Sequence, residues 1–304
     1  MKVGIAGTGA VGGYVGGLLS DAGHEVTFLT RGKAYEYMSS NGLLIESEND
    51  LIKVQGCFTD GLENFSEVDL VIFSVKSNDT KEMASKLQPI IKNEAMIFTL
   101  QNGVDNEETL SQIFGRDRII SAAAYIQVHM KDIGIVKQIG DPPLFLIGAM
   151  DYSKNKDYIQ YLCTIFNEAN IKAGVSENIV KVKWKKLLWN VIFNPLSALI
   201  EENTGVILDD PGLLSIAKMI GHESICVARA EGIEVEDTYL EKIIKQAENA
   251  RNHQTSMLQD KLKGKEMELE SICGFIIKRG RKLHVPTPVL ESIYHLLKFA
   301  QGKS

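Results

Sequence analysis

Cysteine is scarce in this chain of 304 residues, and the little there is does not pair by spacing. Cys57, Cys163, Cys226 and Cys273 stand far apart, with no C-x-x-C among them. That argues against a disulfide framework and a thiolate metal cluster, and reads as buried thiols in a reducing, cytoplasmic setting. The six histidines show no metal-ligand spacing either, so no metal is expected. A basic excess is missing too: the formal net charge of −6 argues against a general nucleic-acid binder. No segment approaches the roughly 20 apolar residues needed to span a bilayer, so no membrane partner is expected. One stretch imitates a secretory leader, Lys2 followed by the apolar run Val3–Leu19. Seven of those seventeen residues are glycine, however, at positions that a tight turn and a closely packed helix explain. Internal repeats and low-complexity tracts are also absent.

What is present fits a globular enzyme. The length suggests two domains, and 44% hydrophobic residues are enough for a substantial core. Lys2–Ala6 reads as a short buried strand, followed by Gly7-Thr8-Gly9-Ala10-Val11-Gly12 and an amphipathic helix to Ala22. This is G-x-G-x-x-G in its informative context, strand before and helix after. Gly7 permits the turn, Gly9 lets backbone approach a pyrophosphate, and Gly12 allows close helix–strand packing. The helix N-terminus then offers N–H groups and partial positive charge to phosphates. The next strand, His24–Leu29, ends in Thr30-Arg31. A dinucleotide fold that takes NAD usually has an acid there for the ribose 2′-hydroxyl; an arginine accommodates a 2′-phosphate. With Arg31 and no acid at that strand end, NADP(H) is the expected cofactor.

Strands and helices alternate through the first half, which implies a parallel, doubly wound sheet. Leu43–Ser47 and Ile52–Gly56 read as a strand pair with Asn49-Asp50 in the turn. Val68–Val75, Ala95–Leu100, Ile119–His129, Ile133–Ile139 and Leu144–Ile147 read as further strands. The pattern changes near Ala173–Asn178. Beyond it only helical periods occur, over Ile179–Ile200, Pro211–Glu231, Thr238–Arg251, Ser256–Lys263, Met267–Arg281 and Pro288–Ala300. The expected organisation is therefore a nucleotide-binding domain over 1–176 and an all-helical domain over 177–304, with a ligand cleft between them.

The helix at 179–200 carries Lys186, Asn190 and Asn194 at spacing i, i+4, i+8 within a run of Leu, Trp, Val, Ile and Phe. Four residues turn about 40° past a full revolution, so the three polar groups form one stripe. Such a stripe faces solvent, pairs with a neighbouring helix, or lines a ligand cavity. Pro195 predicts a bend in the same helix. Lys76 and Asn102 follow strands at their carboxyl ends, where open α/β sheets bind ligands. Each also has a bland account, as a solvated lysine or an Asn-Gly turn.

Together these segments resemble the ketopantoate reductase family, the 2-dehydropantoate 2-reductases. The resemblance covers nearly the whole chain. It rests on GTGAVGG at 7–13, Arg31, NGL at 41–43, SVKS at 74–77 and QNGV at 101–104. In the helical half it rests on WKKLLWNVIFNPLSAL at 184–199, SMLQD at 256–260 and Lys265–Phe275. The implied fold is α/β, an N-terminal Rossmann-type doubly wound sheet with a C-terminal all-helical domain. The implied reaction is NADPH-dependent reduction of 2-dehydropantoate to (R)-pantoate, in pantothenate and coenzyme A biosynthesis. By the same resemblance Lys186 is the catalytic lysine, and Glu268 pairs with it and with the cofactor. Asn190, Asn194 and Ser256 bind substrate. Lys76 and Asn102 line the nicotinamide end of the cofactor, and Asn102 also touches substrate. The bland alternatives are a helix-capping serine for Ser256 and a solvated acid in KGKEMELE for Glu268. Two positions depart from the family pattern: Cys273 stands where asparagine is usual, and the polar residue expected near Asn203-Thr204 is not matched. Two other readings stay open, an NADP-dependent oxidoreductase acting on another 2-oxo acid or an opine-type imine, and an NADP(H) sensor without turnover. A homodimer through the apolar helices is also compatible with the sequence.

Overall fold

The computed structural model describes residues 1–48 and 50–302. Asn49, half of the expected Asn49-Asp50 turn, lies outside the described residues. By its contacts the chain divides into two units, Met1–Gln101 with Asn106–Val182, and Asn102–Asp105 with Lys183–Ser304.

The first unit is built on β1 (Lys2–Ala6), β2 (Glu25–Leu29), β3 (Leu43–Glu46), β4 (Leu51–Val54), β5 (Cys57–Thr59) and β6 (Leu70–Phe73). It continues with β7 (Met96–Thr99), β8 (Ile119–Tyr125), β9 (Val128–Asp132), β10 (Ile135–Gln138), β11 (Leu144–Ala149) and β12 (Lys172–Val175). Its helices are α1 (Ala10–Asp21), α2 (Lys33–Asn41), α3 (Thr80–Leu87), α4 (Asn106–Phe114) and α5 (Tyr152–Glu168). Eight strands form one sheet in the order β12-β11-β8-β7-β6-β1-β2-β5. The run from β5 to β8 is parallel throughout. It has the 3-2-1-4-5-6 order of a dinucleotide-binding sheet.

Strand periodicity explains how the sheet is covered. In β6, Leu70 and Ile72 enter one hydrophobic core, with Val3, Ile5 and Val15, while Val71 and Phe73 enter another, with Ala84, Leu87 and Leu110. Alternate residues point to opposite faces, so an unbroken apolar run marks a strand buried on both. The remaining strands form a small sheet, β4-β3-β10-β9.

Two expectations need correction here. The run 119–129 is not one strand: β8 ends at Tyr125 and β9 starts at Val128 in the other sheet. Residues 119–124 are buried, whereas 128–132 are half-buried or exposed, so apolarity alone concealed a change of environment. The second correction concerns direction. β11 runs antiparallel to β8, because hydrophobic pattern carries no information on strand polarity. The sequence reading also did not single out α5, whose N-terminus is capped by Asp151 accepting from the Lys154 N–H.

α6 (Ile179–Ile200) begins in the first unit and continues uninterrupted through Pro195. The second unit adds α7 (Thr204–Asp209), α8 (Pro211–Ala230), α9 (Tyr239–Glu248), α10 (Ser256–Leu262), α11 (Phe275–Lys282) and α12 (Pro288–Gln301). Among the described residues no strand follows β12. α8 packs against α7, α9, α11 and α12. The Glu223 carboxylate on α8 accepts the Val289 and Leu290 N–H groups, both at 2.9 Å, and so caps α12.

A π-helical turn, Glu270–Gly274, leads into α11. It is clamped to α12 through Glu270. Tyr294 donates its hydroxyl proton to Oε1, Lys298 donates to Oε1 at 3.0 Å, and Lys278 donates to Oε2 at 2.9 Å. Partial burial pushes the Glu270 carboxyl up, but the hydrogen bonds from Tyr294, Lys278 and Lys298 outweigh it and bring it down to about 2. A carboxylate depressed in the folded state stabilises above the ordinary carboxylate pKa of about 4.3, and that stabilisation fades as pH falls toward the folded value. Glu270→Gln is therefore expected to lower Tm by a few degrees at neutral pH. The gap to wild type should close between about pH 4.5 and pH 2; a gap that stays constant across that range refutes the clamp.

Candidate active site

The glycine loop follows β1 directly. Gly7 has φ +104°, and a Cβ there would lie 2.8 Å from the Val75 nitrogen. At Gly12 a Cβ would meet the Gly7 carbonyl and the Ser74 hydroxyl at 2.2 Å each. Both positions are closed to any side chain. At Gly9 nothing lies within 4 Å, so the loop presents bare backbone on that side. Gly9 caps α1, and the first α1 bond runs from the Gly13 N–H to the Gly9 carbonyl. The N–H groups of Ala10, Val11 and Gly12 consequently have no acceptor within the helix. Thr8 serves differently: its N–H and its hydroxyl both donate to the Leu29 carbonyl, at 3.1 and 2.8 Å, tying the loop to the end of β2. Arg31 lies just beyond that end and is exposed. These residues fit a dinucleotide phosphate chain, with close backbone approach at Gly9 and positive charge past β2. Lys76 is exposed after β6, at the start of a short 3₁₀ turn.

The second unit gathers the other candidate residues around α6. Leu187, Leu188, Val191, Ile192, Phe193 and Leu196 are at most 1% exposed, so the stretch 187–196 of this helix is buried among apolar groups. Asn190 and Asn194, only 8% and 2% exposed, are not part of a solvated face. Among the described residues neither side-chain amide has a hydrogen-bond partner, yet their polar atoms are not sealed off. Pairing with a neighbouring helix is thereby excluded for them, and two amides are left to bind something polar.

Lys186 lies one turn before Asn190. Its ammonium donates to Asn102 Oδ1 at 3.0 Å, and Asn102 Nδ2 donates to Glu268 Oε2 at 3.4 Å. Asn102 thus links the lysine to the carboxylate. Burial lowers the Lys186 pKa, the Lys183 ammonium lowers it further, and Glu268 pulls it part of the way back, to about 8. Glu268 is half-buried, between Met267 and Leu269 at 4% and 3% exposed, and does not belong to a solvated helix face. Its segment is tied to α12 a second time, by the Met267 N–H donating to Gln301 at 2.9 Å.

Ser256 is the first residue of α10, but the cap is Thr255, whose hydroxyl accepts from the Leu258 N–H at 3.2 Å. The capping role is therefore filled, and the Ser256 hydroxyl remains exposed. Thr255 Oγ1 lies 2.6 Å from Ser197 Oγ on α6, and Lys261 donates to the Ala198 carbonyl at 2.8 Å. Both contacts fasten α10 along the helix that carries Lys186.

The sequence reading missed Lys183 and the π-helical turn, though it had singled out Cys273 and the Asn203-Thr204 region. Lys183, 5% exposed and one turn before Lys186, was not singled out, although its i−3 position could have done so. The π-helical turn looks like ordinary helix by period. It holds Cys273, fully buried, its thiol pushed up to about 12 by burial and by the Glu270 charge. Thr204 is buried and donates to the His253 carbonyl at 3.2 Å. Among the described residues, no cluster of metal-binding side chains occurs and no helix is long and apolar enough to cross a membrane.

Comparison with known proteins bears on the whole chain. The model described as ketopantoate reductase PanE/ApbA matches residues 3–152, and its C-terminal counterpart matches 178–301. The 2-dehydropantoate 2-reductase of Pyrococcus horikoshii is 32% identical over 98% of this chain and 97% of its own. The crystal structure of a PanE/ApbA family ketopantoate reductase from Ralstonia eutropha superposes with a TM-score of 0.92 at 30% identity, covering 100% of this chain and 99% of its own. A ternary structure of D-mandelate dehydrogenase with NADH and anilino(oxo)acetate reaches 0.91 at 22% identity, over 100% and 99%, and shares the fold. The chain belongs to the ketopantoate reductase PanE/ApbA family of oxidoreductases.

Proposed function

We propose that this protein reduces the C2 ketone of 2-dehydropantoate to (R)-pantoate with NADPH, a step toward pantothenate and coenzyme A. The observation that carries this reading is Lys186, a largely buried ammonium hydrogen-bonded to Asn102, beside two amides without protein partners. A reductase of this kind needs a proton donor aimed at an oxygen that becomes negative. A lysine with a pKa of about 8 is mostly protonated at neutral pH, yet gives up its proton far more readily than one at about 10.4.

Bound NADPH supplies the hydride. The loop residues Gly7 to Gly12 hold its phosphates, Arg31 meets the 2′-phosphate, and Lys76, Asn102 and Glu268 serve its nicotinamide end. Lys186 stabilises the developing alkoxide and then protonates it, while Glu268 and Asn102 keep the ammonium in position. Asn190 and Asn194 take the substrate hydroxyl and carbonyl, and Ser256 takes its carboxylate. All four thiols are free, Cys57 and Cys226 being exposed where burial was expected, and a reducing, cytoplasmic setting suits the chain.

Spectrophotometric NADPH oxidation should be strong with 2-dehydropantoate and weak with pyruvate or 2-oxoisovalerate; a reversed preference overturns the substrate assignment. Because the acid must be protonated, kcat/KM should hold below pH 8 and fall as pH rises through it. Lys186→Ala should cut kcat by about 10²–10⁴-fold, a larger effect than on substrate KM. A variant with near-wild-type kcat would remove the lysine from the mechanism. Arg31→Ala should raise the KM for NADPH at least tenfold and leave that for NADH nearly unchanged; equal effects on both would place the 2′-phosphate elsewhere.

A further inference from the structure

Near the carboxyl ends of β6 and β7 lies a set of polar side chains that the proposed chemistry does not use. Thr99, Gln101, Thr80 and Asn106 are 0%, 6%, 2% and 3% exposed. Their hydrogen bonds form one directed chain. Thr99 donates to Gln101 Oε1 at 3.0 Å, Gln101 Nε2 donates to the Thr80 hydroxyl at 2.7 Å, and Thr80 donates to Asn106 Oδ1 at 2.8 Å. Interior sites of this size accept Val, Leu or Met without such a network, and burying polar groups is costly unless each is paired.

The chain of bonds ends on two residues adjacent in sequence to Lys76. Gln101 Nε2 also donates to the Val75 carbonyl at 2.9 Å, and Asn106 Nδ2 donates to the Ser77 hydroxyl at 3.4 Å. Val75 and Ser77 flank Lys76. The exposed lysine is therefore held from both sides of its backbone by a buried network rooted in the sheet and in α3 and α4. Fixing the backbone of this turn removes conformational freedom that would otherwise be lost when a ligand binds there.

We infer that Gln101, Thr80 and Asn106 are positioning residues for Lys76, fixing the turn from which it meets the nicotinamide end of the bound cofactor. This rests on the proposed NADPH-binding role of Lys76. The hydroxyl of Thr80 is the hinge of the network, since it accepts from Gln101 and donates to Asn106.

The test is direct NADPH binding, measured by fluorescence titration without substrate, in a double-mutant cycle. Thr80→Val keeps the shape and removes the hydroxyl; it should raise the NADPH Kd 5–20-fold, and Thr80→Ser should restore it. Lys76→Ala should weaken binding by a similar factor, and adding Thr80→Val to it should change Kd less than twofold. Should Thr80→Val fail to fold, Ser77→Ala severs the network at its half-exposed end and should weaken binding 2–5-fold, again only while Lys76 is present. An unchanged Kd in Thr80→Val or Ser77→Ala, or an equal loss with and without Lys76, overturns the inference. A wild type that does not bind NADPH, or a Lys76→Ala variant that binds it normally, fails the underlying reading instead.

Discussion

An ammonium group withdrawn from water is the constraint around which the helical unit is organised. Lys186 sits at the start of a mostly apolar, buried stretch of its helix, so its charge survives only with compensation close by. Asn102 provides a direct acceptor, and Glu268 provides negative charge beyond it. Neither compensates fully, and Lys183 opposes both. The outcome is a lysine that gives up its proton more easily than a surface one, a property that suits the proposed acid role.

The surroundings of that lysine are rigid for traceable reasons. α6 is anchored by buried aliphatic and aromatic groups, and its two tryptophans reach other segments, Trp184 against Phe275 and Trp189 against His253. α10 is fastened along it by Ser197, Thr255 and Lys261. The segment bearing Glu268 is not helical where the carboxylate emerges, and it is secured through Met267 and through the π-helical turn that follows. Regular structure thus carries the lysine and the amides, while the carboxylate depends on an irregular segment with its own fastenings. A site built in this way can hold amide groups without protein partners, because its geometry does not rely on them.

Much of this was legible in the residue order, for a physical reason. The glycine loop and α6 are local patterns: a glycine triplet between strand and helix, and Lys186, Asn190 and Asn194 at four-residue spacing within one helix. Other features were hidden because they depend on partners remote in sequence or on geometry that hydrophobicity does not encode. The break between β8 and β9 lies inside one apolar stretch. The polarity of β11 leaves no compositional trace. Thr255 and Ser256 are both competent caps, and only the fold decides which one serves. The Thr80–Gln101–Asn106 network joins residues over 20 positions apart, each unremarkable in its own neighbourhood.

The fastening of the Glu268 segment to α12 also bears on how the protein comes into being. Tyr294, Lys298 and Gln301 leave the ribosome well after the carboxylate they help to secure. The glycine loop and its sheet, by contrast, are drawn from earlier sequence, and nascent domains generally fold in order of emergence. A growing chain can therefore complete its nucleotide-binding surface while the acid–lysine arrangement is still unformed. The segment that bears the carboxylate acquires its fastenings only once the last helix of the chain is in place.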